Sequence, residues 1–314
     1  MTAIRRVLSI DGGGIKGVFP AAFLATVEDA IGGHVANYFD LIVGTSTGGI
    51  IALGLGLGLS ATEILGFYET YGPKIFRQQT VLSRLRHWVF AKYSDRDLRQ
   101  ALEETFGDRK LGDSQRRLVI PSLNLDTGEA YLYKTAHHPR FERDYKESAV
   151  TVALATSAAP TYFPTHRAAG GVAFVDGGLW ANNPTAVAAI EAVATLKWDP
   201  KAVRILSLGC SKAPVAVGWE RWLPLGKVYW AAKAADLFMA GQSSSALGIT
   251  RLFMGEENLV RISPTVQQGR FAMDGVRDTR ALCGLGQGEA RKELTRLRSL
   301  FFTEATDAFI PDWK

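Results

Sequence analysis

The segment Gly44-Thr45-Ser46-Thr47-Gly48 has the residue types and spacing of a nucleophilic serine on a sharp turn. Gly44 and Gly48 stand two residues either side of Ser46, the apolar run Leu41-Ile42-Val43 precedes them, and a helix-like stretch follows. A serine on a strand-to-helix turn is held in a strained backbone conformation that exposes its hydroxyl, and the flanking glycines relieve crowding there. The helix expected from Thr47 onward points its N-terminus at the site and favours developing negative charge. The competing reading is a glycine-rich turn with an inert serine; the strand-to-helix setting favours the nucleophile.

Such a serine needs a base. The order Ser, acid, His fails with Asp176, because all five histidines (His34, His87, His137, His138 and His166) precede it. Two arrangements remain. One is a triad of Ser46 and Asp126 with His137, His138 or His166, as in an esterase or protease. The other uses Asp176 directly: it ends the apolar run Val172–Val175 and is followed by Gly177 and Gly178. A carboxylate of ordinary pKa, about 3.9, is a poor base. Partial burial or enforced contact with the hydroxyl must improve it.

The third element is Asp11-Gly12-Gly13-Gly14-Ile15-Lys16-Gly17, in which Gly12, Gly14 and Gly17 form G-x-G-x-x-G between an apolar run and a helical pattern. A dinucleotide site looks like this, but it wants an acidic residue about 20 positions on, at the end of a second strand. Glu28 and Asp29 fall inside the helical pattern and Asp40 precedes a strand. Bare amides at a helix start can equally hold an oxyanion, and Lys16 adds positive charge nearby. A non-catalytic nucleotide-binding module built on the Gly12–Gly17 loop is the reading without turnover.

These motifs need elements to position them. Short apolar runs break abruptly at glycine or polar residues: Arg6–Ile10 into Asp11, Leu41–Val43 into Gly44, Val172–Val175 into Asp176, and Arg204–Leu208 into Gly209. Continuous apolar runs predict strands covered on both faces. Leu118–Leu125 predicts a further strand, placed at an edge by Pro121. Between them lie helical patterns. Phe19, Phe23, Val27 and Ile31 form one stripe, Ser60 and Glu63 form a capping box for a helix through Tyr71, and Asn183-Pro184 opens a helix to Leu196. Leu294, Leu297 and Phe301 mark a basic amphipathic helix that packs on the body. Alternating strands and helices predict an α/β, three-layer sandwich around a mostly parallel sheet. Ligands bind where the C-terminal strand ends share one rim, and Asp176 is expected on that rim with Ser46. One domain over 1–314 is the simplest account, with 211–314 the less legible part.

The chain has 314 residues, 47% hydrophobic and 21% charged, an ordinary globular composition. Its net charge of +5 suits an anionic partner such as a phospholipid surface, and without a dense Lys/Arg stripe it is no nucleic-acid signature. Two cysteines, Cys210 and Cys283, exclude a disulfide framework or zinc cluster and point to a reducing compartment. The apolar stretch before Asp11 is too short for a signal peptide. Leu41–Leu59 carries no charge and approaches the length of a membrane span, but its glycines and its Thr-Ser-Thr centre read as a buried strand, turn and helix. The aromatic stretch Trp219–Trp230, with Arg221 and Lys227, reads as a lid or docking surface, with core packing as its alternative.

Together the three motifs resemble those of patatin-like phospholipases, serine acyl hydrolases with a Ser–Asp dyad. Ala155-Thr-Ser-Ala-Ala-Pro160 with Phe163-Pro164, Asp176-Gly-Gly-Leu-Trp-Ala-Asn-Asn-Pro184 and Ser207-Leu208-Gly209 are similar to that family's patterns. The likeness is specific from residue 6 to about 210. It implies that Ser46 is the nucleophile and Asp176 the base, and that amides of Gly12, Gly13 and Gly14 form the oxyanion hole. It further implies membrane phospholipids as substrate and no metal or organic cofactor. Where the family often has arginine this chain has Lys16, which keeps the charge and loses bidentate contact. The short chain is also similar to bacterial phospholipases that act as effectors of antiphage defence. That likeness implies a cyclic di- or trinucleotide activator, a cytoplasmic location with action at the inner face of the cell membrane, and compatibility with a homo-oligomer. A plain housekeeping lipase carries the same three motifs.

Overall fold

Strand β1 (Arg5–Ile10) lies inside an eight-stranded sheet formed with β2 (Leu41–Gly44), β3 (Arg117–Asn124), β4 (Glu129–Lys134), β5 (His166–Arg167), β6 (Ala173–Asp176), β7 (Val203–Leu208) and β8 (Leu259–Ile262). The computed structural model describes residues 4–77, 91–212 and 227–314, and of 227–233, 235 and 236 the backbone alone. The strand order is β5-β6-β3-β2-β1-β7-β8, with β4 on the other edge of β3. The pairs β1–β2, β1–β7, β2–β3 and β7–β8 are parallel. The sheet is mixed but mostly parallel, as the alternating sequence pattern predicts.

Side chains alternate across this sheet with the period of two that a strand imposes. Leu8, Ile10, Ile42, Ile120 and Leu206 face one core. It is covered by α1 (Val18–Ile31), α2 (Thr47–Gly56), α3 (Ala61–Ile75), α4 (Arg96–Phe106), α5 (Ala149–Ser157) and α9 (Thr279–Phe301). Val7, Leu41, Val43, Val119, Val203 and Ile205 face the other core, under α7 (Thr185–Ile190) and α8 (Lys227–Met254). The result is helix, sheet, helix. Leu41–Leu59 is a buried strand, turn and helix within it. Among the described residues no helix is long and apolar enough to cross a membrane.

Local signals place several helix ends. The Ser60 hydroxyl accepts from the Glu63 amide and the Glu63 carboxylate accepts from the Ser60 amide, a reciprocal box. The helix runs past Tyr71 to Ile75, because Gly72 and Ile75 are buried against the core. α7 starts one residue later than the sequence suggests: Pro184, expected as its first residue, is the N-cap, and Asn183 before it accepts from the Thr185 amide at 3.1 Å; after Ile190 the helix widens into a π turn over Glu191–Thr195 instead of continuing evenly to Leu196. In α9, Leu297 and Phe301 are fully buried and pack toward α1, as a packing helix should.

Two placements differ from expectation. Pro121 is not on an edge strand: β3 is flanked by β4 on one side and by β2 and β6 on the other. β2 pairs only as far as Val119 and β6 only from Ser122. Pro121 sits opposite the gap between them, where its missing N–H costs no ladder bond. And β6 is antiparallel to β3, so Asp176 does not reach Ser46 along a shared parallel rim. β2 and β6 run toward each other along the same edge of β3, and their C-terminal ends meet across Pro121.

Candidate active site

Head-on convergence brings together two side chains 130 positions apart: Ser46 Oγ donates to Asp176 Oδ2 at 2.6 Å. Ser46 stands two residues past the end of β2 and directly before α2, with φ 55° and ψ −123°. That left-handed backbone is costly for a non-glycine residue, of order 1–3 kcal/mol, and persists only where the surroundings impose it. Gly48 permits the turn, since a side chain there would strike the carbonyls of Ile10 and Asp11. The Ser46 amide donates to Thr156 Oγ1 at 2.9 Å, and Thr156 in turn donates to the Pro121 carbonyl at 2.5 Å. Thr156, at the end of α5, thus fixes the strained turn to the gap in the sheet.

Asp176 is buried, and burial pushes its carboxyl up to about 6, against the opposing pull of hydrogen bonds from Ser46 and from the Gly178 amide. The Gly178 amide donates to Oδ1 at 2.6 Å, so the carboxylate presents Oδ2 to the serine in a fixed orientation. Gly177 caps the single turn α6 (Gly178–Ala181) that supplies this amide. A carboxyl near 6 is a far better base than one at its ordinary value.

The glycine loop lies against Ser46: a Cβ on Gly12 would sit 3.2 Å from the Ser46 Cβ. Its amides differ in availability. The Gly12 amide donates to the Asn182 carbonyl at 2.9 Å, which removes it from the free donors expected there. The Ile15 amide donates to the Met273 carbonyl at 2.8 Å, and that of Lys16 to Gly13 at 3.2 Å. The amides of Gly13 and Gly14 have no acceptor among the described residues. Gly14 has φ 60° and the Met273 carbonyl fills the space a side chain would need, so only glycine fits. Gly17 packs against Thr47 and Tyr68. The Lys16 ammonium makes no ion pair among the described residues, and its charge bears on Asp11. Beneath the loop Arg261 donates to both Asp11 carboxylate oxygens, at 2.8 and 2.5 Å.

Ser46 and Gly14 line one narrow cleft, with a cavity volume of about 50 Å³, whose walls are Ile50, Phe67, Tyr68, Ile75, Phe76 and Phe163 among others. An apolar slot that ends at the Ser46 hydroxyl suits an acyl chain. None of the histidines described touches Ser46. His137 bonds Thr135 and Glu191, His138 accepts from the Arg140 amide, His34 lies beside Glu28, and His166 is in β5. His87, like Trp219 and Trp222, lies outside the described residues. Asp126 accepts from the Ala173 amide. The triad alternative therefore has no geometry among these residues. Glu28 and Asp40, the nearest acids for a dinucleotide ribose, accept backbone amides of Val35, Ala61 and Arg6 instead. Among the described residues no group of His, Cys, Asp and Glu is arranged to hold a metal ion.

Sequence reasoning missed Thr156 as a contact of Ser46. The only signal was its place in Ala155–Pro160, where a hydroxyl at a helix end has no local partner to explain it.

A family model described as patatin-like phospholipase matches residues 8–189. Among curated proteins, a cGAMP-activated phospholipase of Pseudomonas aeruginosa is 38% identical over 251 residues, covering 79% of this chain and 75% of that protein. Proteins of the same name from Escherichia coli and Vibrio cholerae are each 38% identical, with 69% and 65% of this chain covered and 66% and 63% of theirs.

Proposed function

Because the chain belongs to the patatin-like phospholipase family, we propose that it cleaves fatty acyl esters of membrane phospholipids with Ser46 as nucleophile and Asp176 as base. The observation that carries this reading is the 2.6 Å hydrogen bond from Ser46 Oγ to Asp176 Oδ2. Asp176 takes the serine proton as Ser46 attacks the ester carbonyl. The oxyanion rests on the amides of Gly13 and Gly14 and faces the N-terminus of α2, donors that are in place before charge develops. The alcohol leaves with the proton held by Asp176. Water, deprotonated by the same carboxylate, then releases the fatty acid and restores the serine.

The relatives named as cGAMP-activated support a further reading: a cyclic dinucleotide switches this enzyme on, and it then degrades the membrane of its own cell in antiphage defence. The enzyme acts peripherally, from the cytoplasm at the inner face. Fatty acid release from phospholipid vesicles, with and without cGAMP, tests both readings. Turnover should vanish in Ser46→Ala and Asp176→Ala and rise with the nucleotide. Turnover that survives both substitutions would exclude the dyad; full activity without nucleotide would exclude the switch.

A further inference from the structure

Ser157 ends α5 and lines the same cleft as Ser46. It is 6% exposed, yet its Oγ has no hydrogen-bond partner among the described residues. A buried hydroxyl left unpaired is destabilising, and most such groups are satisfied. One kept in an apolar cleft points to a partner that arrives with the substrate. Its neighbours narrow the choice. Thr156, before it, accepts from the Ser46 amide at 2.9 Å; Ala158, after it, accepts from the Asp176 amide at 3.1 Å. Ser157 therefore sits on the stretch of chain that joins nucleophile to base.

The acylation half of the reaction already has its groups: Asp176 for the serine proton, Gly13 and Gly14 for the oxyanion. Deacylation brings in a water molecule. Its lone pair goes to the acyl carbon and one proton to Asp176, so its second proton needs an acceptor. The Thr47 and Tyr68 hydroxyls in the cleft bond each other at 2.5 Å, and Ser46 is by then an ester. Ser157 Oγ is a buried cleft hydroxyl with no partner of its own among the described residues, and a hydroxyl can accept and donate.

We propose that the Ser157 hydroxyl holds the hydrolytic water against the acyl-enzyme, an inference that rests on the Ser46–Asp176 reading. The water oxygen bonds to the acyl carbon as its proton passes to Asp176. The bond from that carbon to Ser46 Oγ then breaks, Ser46 regains the proton from Asp176, and the fatty acid departs. Ser157 changes no covalent bond; it aligns the attacking oxygen.

The test is rapid mixing of wild type and Ser157→Ala with a p-nitrophenyl fatty acyl ester. The p-nitrophenol burst reports acylation, and mass spectrometry of the quenched protein reports breakdown of the acyl-enzyme. Ser157→Ala should acylate, and label with a fluorophosphonate, at the wild-type rate. Its acyl-enzyme should decay about tenfold more slowly, the loss of one neutral hydrogen bond, and Ser157→Thr, which keeps the hydroxyl, should recover most of that rate. An unchanged decay rate, or a burst that slows in step with decay, overturns the proposal. Failure of the wild type to label at Ser46 would instead overturn the dyad reading beneath it.

Discussion

In the proposed dyad, the Asp176 carboxyl, held near 6 by burial, accepts the Ser46 proton and returns it. Asp176 works as a base only when ionised, so kcat/KM on a soluble ester should climb with pH, reach half its plateau near pH 6, and stay flat above. A half-point near 4, the ordinary carboxyl range, would show that burial does not tune this group. The same shift sets a cost in stability. The unfolded carboxyl ionises near 3.8 and the folded one near 6, so folding free energy declines by up to about 3 kcal/mol as pH rises through that window. Asp176→Asn, which cannot ionise, should therefore be inactive yet unfold at higher denaturant than wild type at pH 8, with the difference gone at pH 4. Thr156 belongs at this scale too. Thr156→Val keeps the shape but removes the acceptor for the Ser46 amide, and kcat/KM should fall about tenfold through looser placement of the nucleophile. A drop confined to KM would argue against a positioning role.

At the scale of elements, the site depends on β2 and β6 meeting end to end on β3. The serine turn was legible in the sequence because its determinants are local: apolar strand, glycines at fixed offsets, helix. So was the Ser60–Glu63 box, a pair of bonds between near neighbours. The direction of β6 was not legible. Antiparallel pairing of Ala173–Asp176 with β3 is fixed by contacts some 50 residues away in the chain, and a four-residue apolar run carries no sign of its direction. Pro121 misled for the same reason: it signals a missing ladder bond, and the gap that excuses it is made by two distant strands. The engagement of Gly12 by Asn182 joins residues that no spacing rule relates. Helix α9 shows the energetic side. Phe301 is fully buried and its ring lies 6.0 Å from that of Phe39, so Phe301→Ala should destabilise the protein by about 3–5 kcal/mol in chemical denaturation, against about 1 kcal/mol for Ser60→Ala at the capping box.

For the whole molecule, the three-layer body brings an apolar cleft, two glycine amides unpaired among the described residues and a buried carboxyl bonded to a serine into one place, an arrangement that would hydrolyse lipid under the proposed mechanism. That capacity makes a switch the central question of regulation. If a cyclic dinucleotide binds the folded chain, its presence at about 100 times Kd should add roughly 2.7 kcal/mol to stability, visible as a rise in Tm that parallels the gain in vesicle hydrolysis. A rise in Tm without a gain in hydrolysis would separate binding from activation. All of this presupposes the dyad, and fluorophosphonate labelling at pH 8 tests it most directly. The account predicts one adduct, on Ser46, that forms on the wild-type protein and on His137→Ala alike and is lost in Asp176→Ala. An Asp176→Ala protein that labels as fast as wild type, or an adduct on another serine, would contradict it.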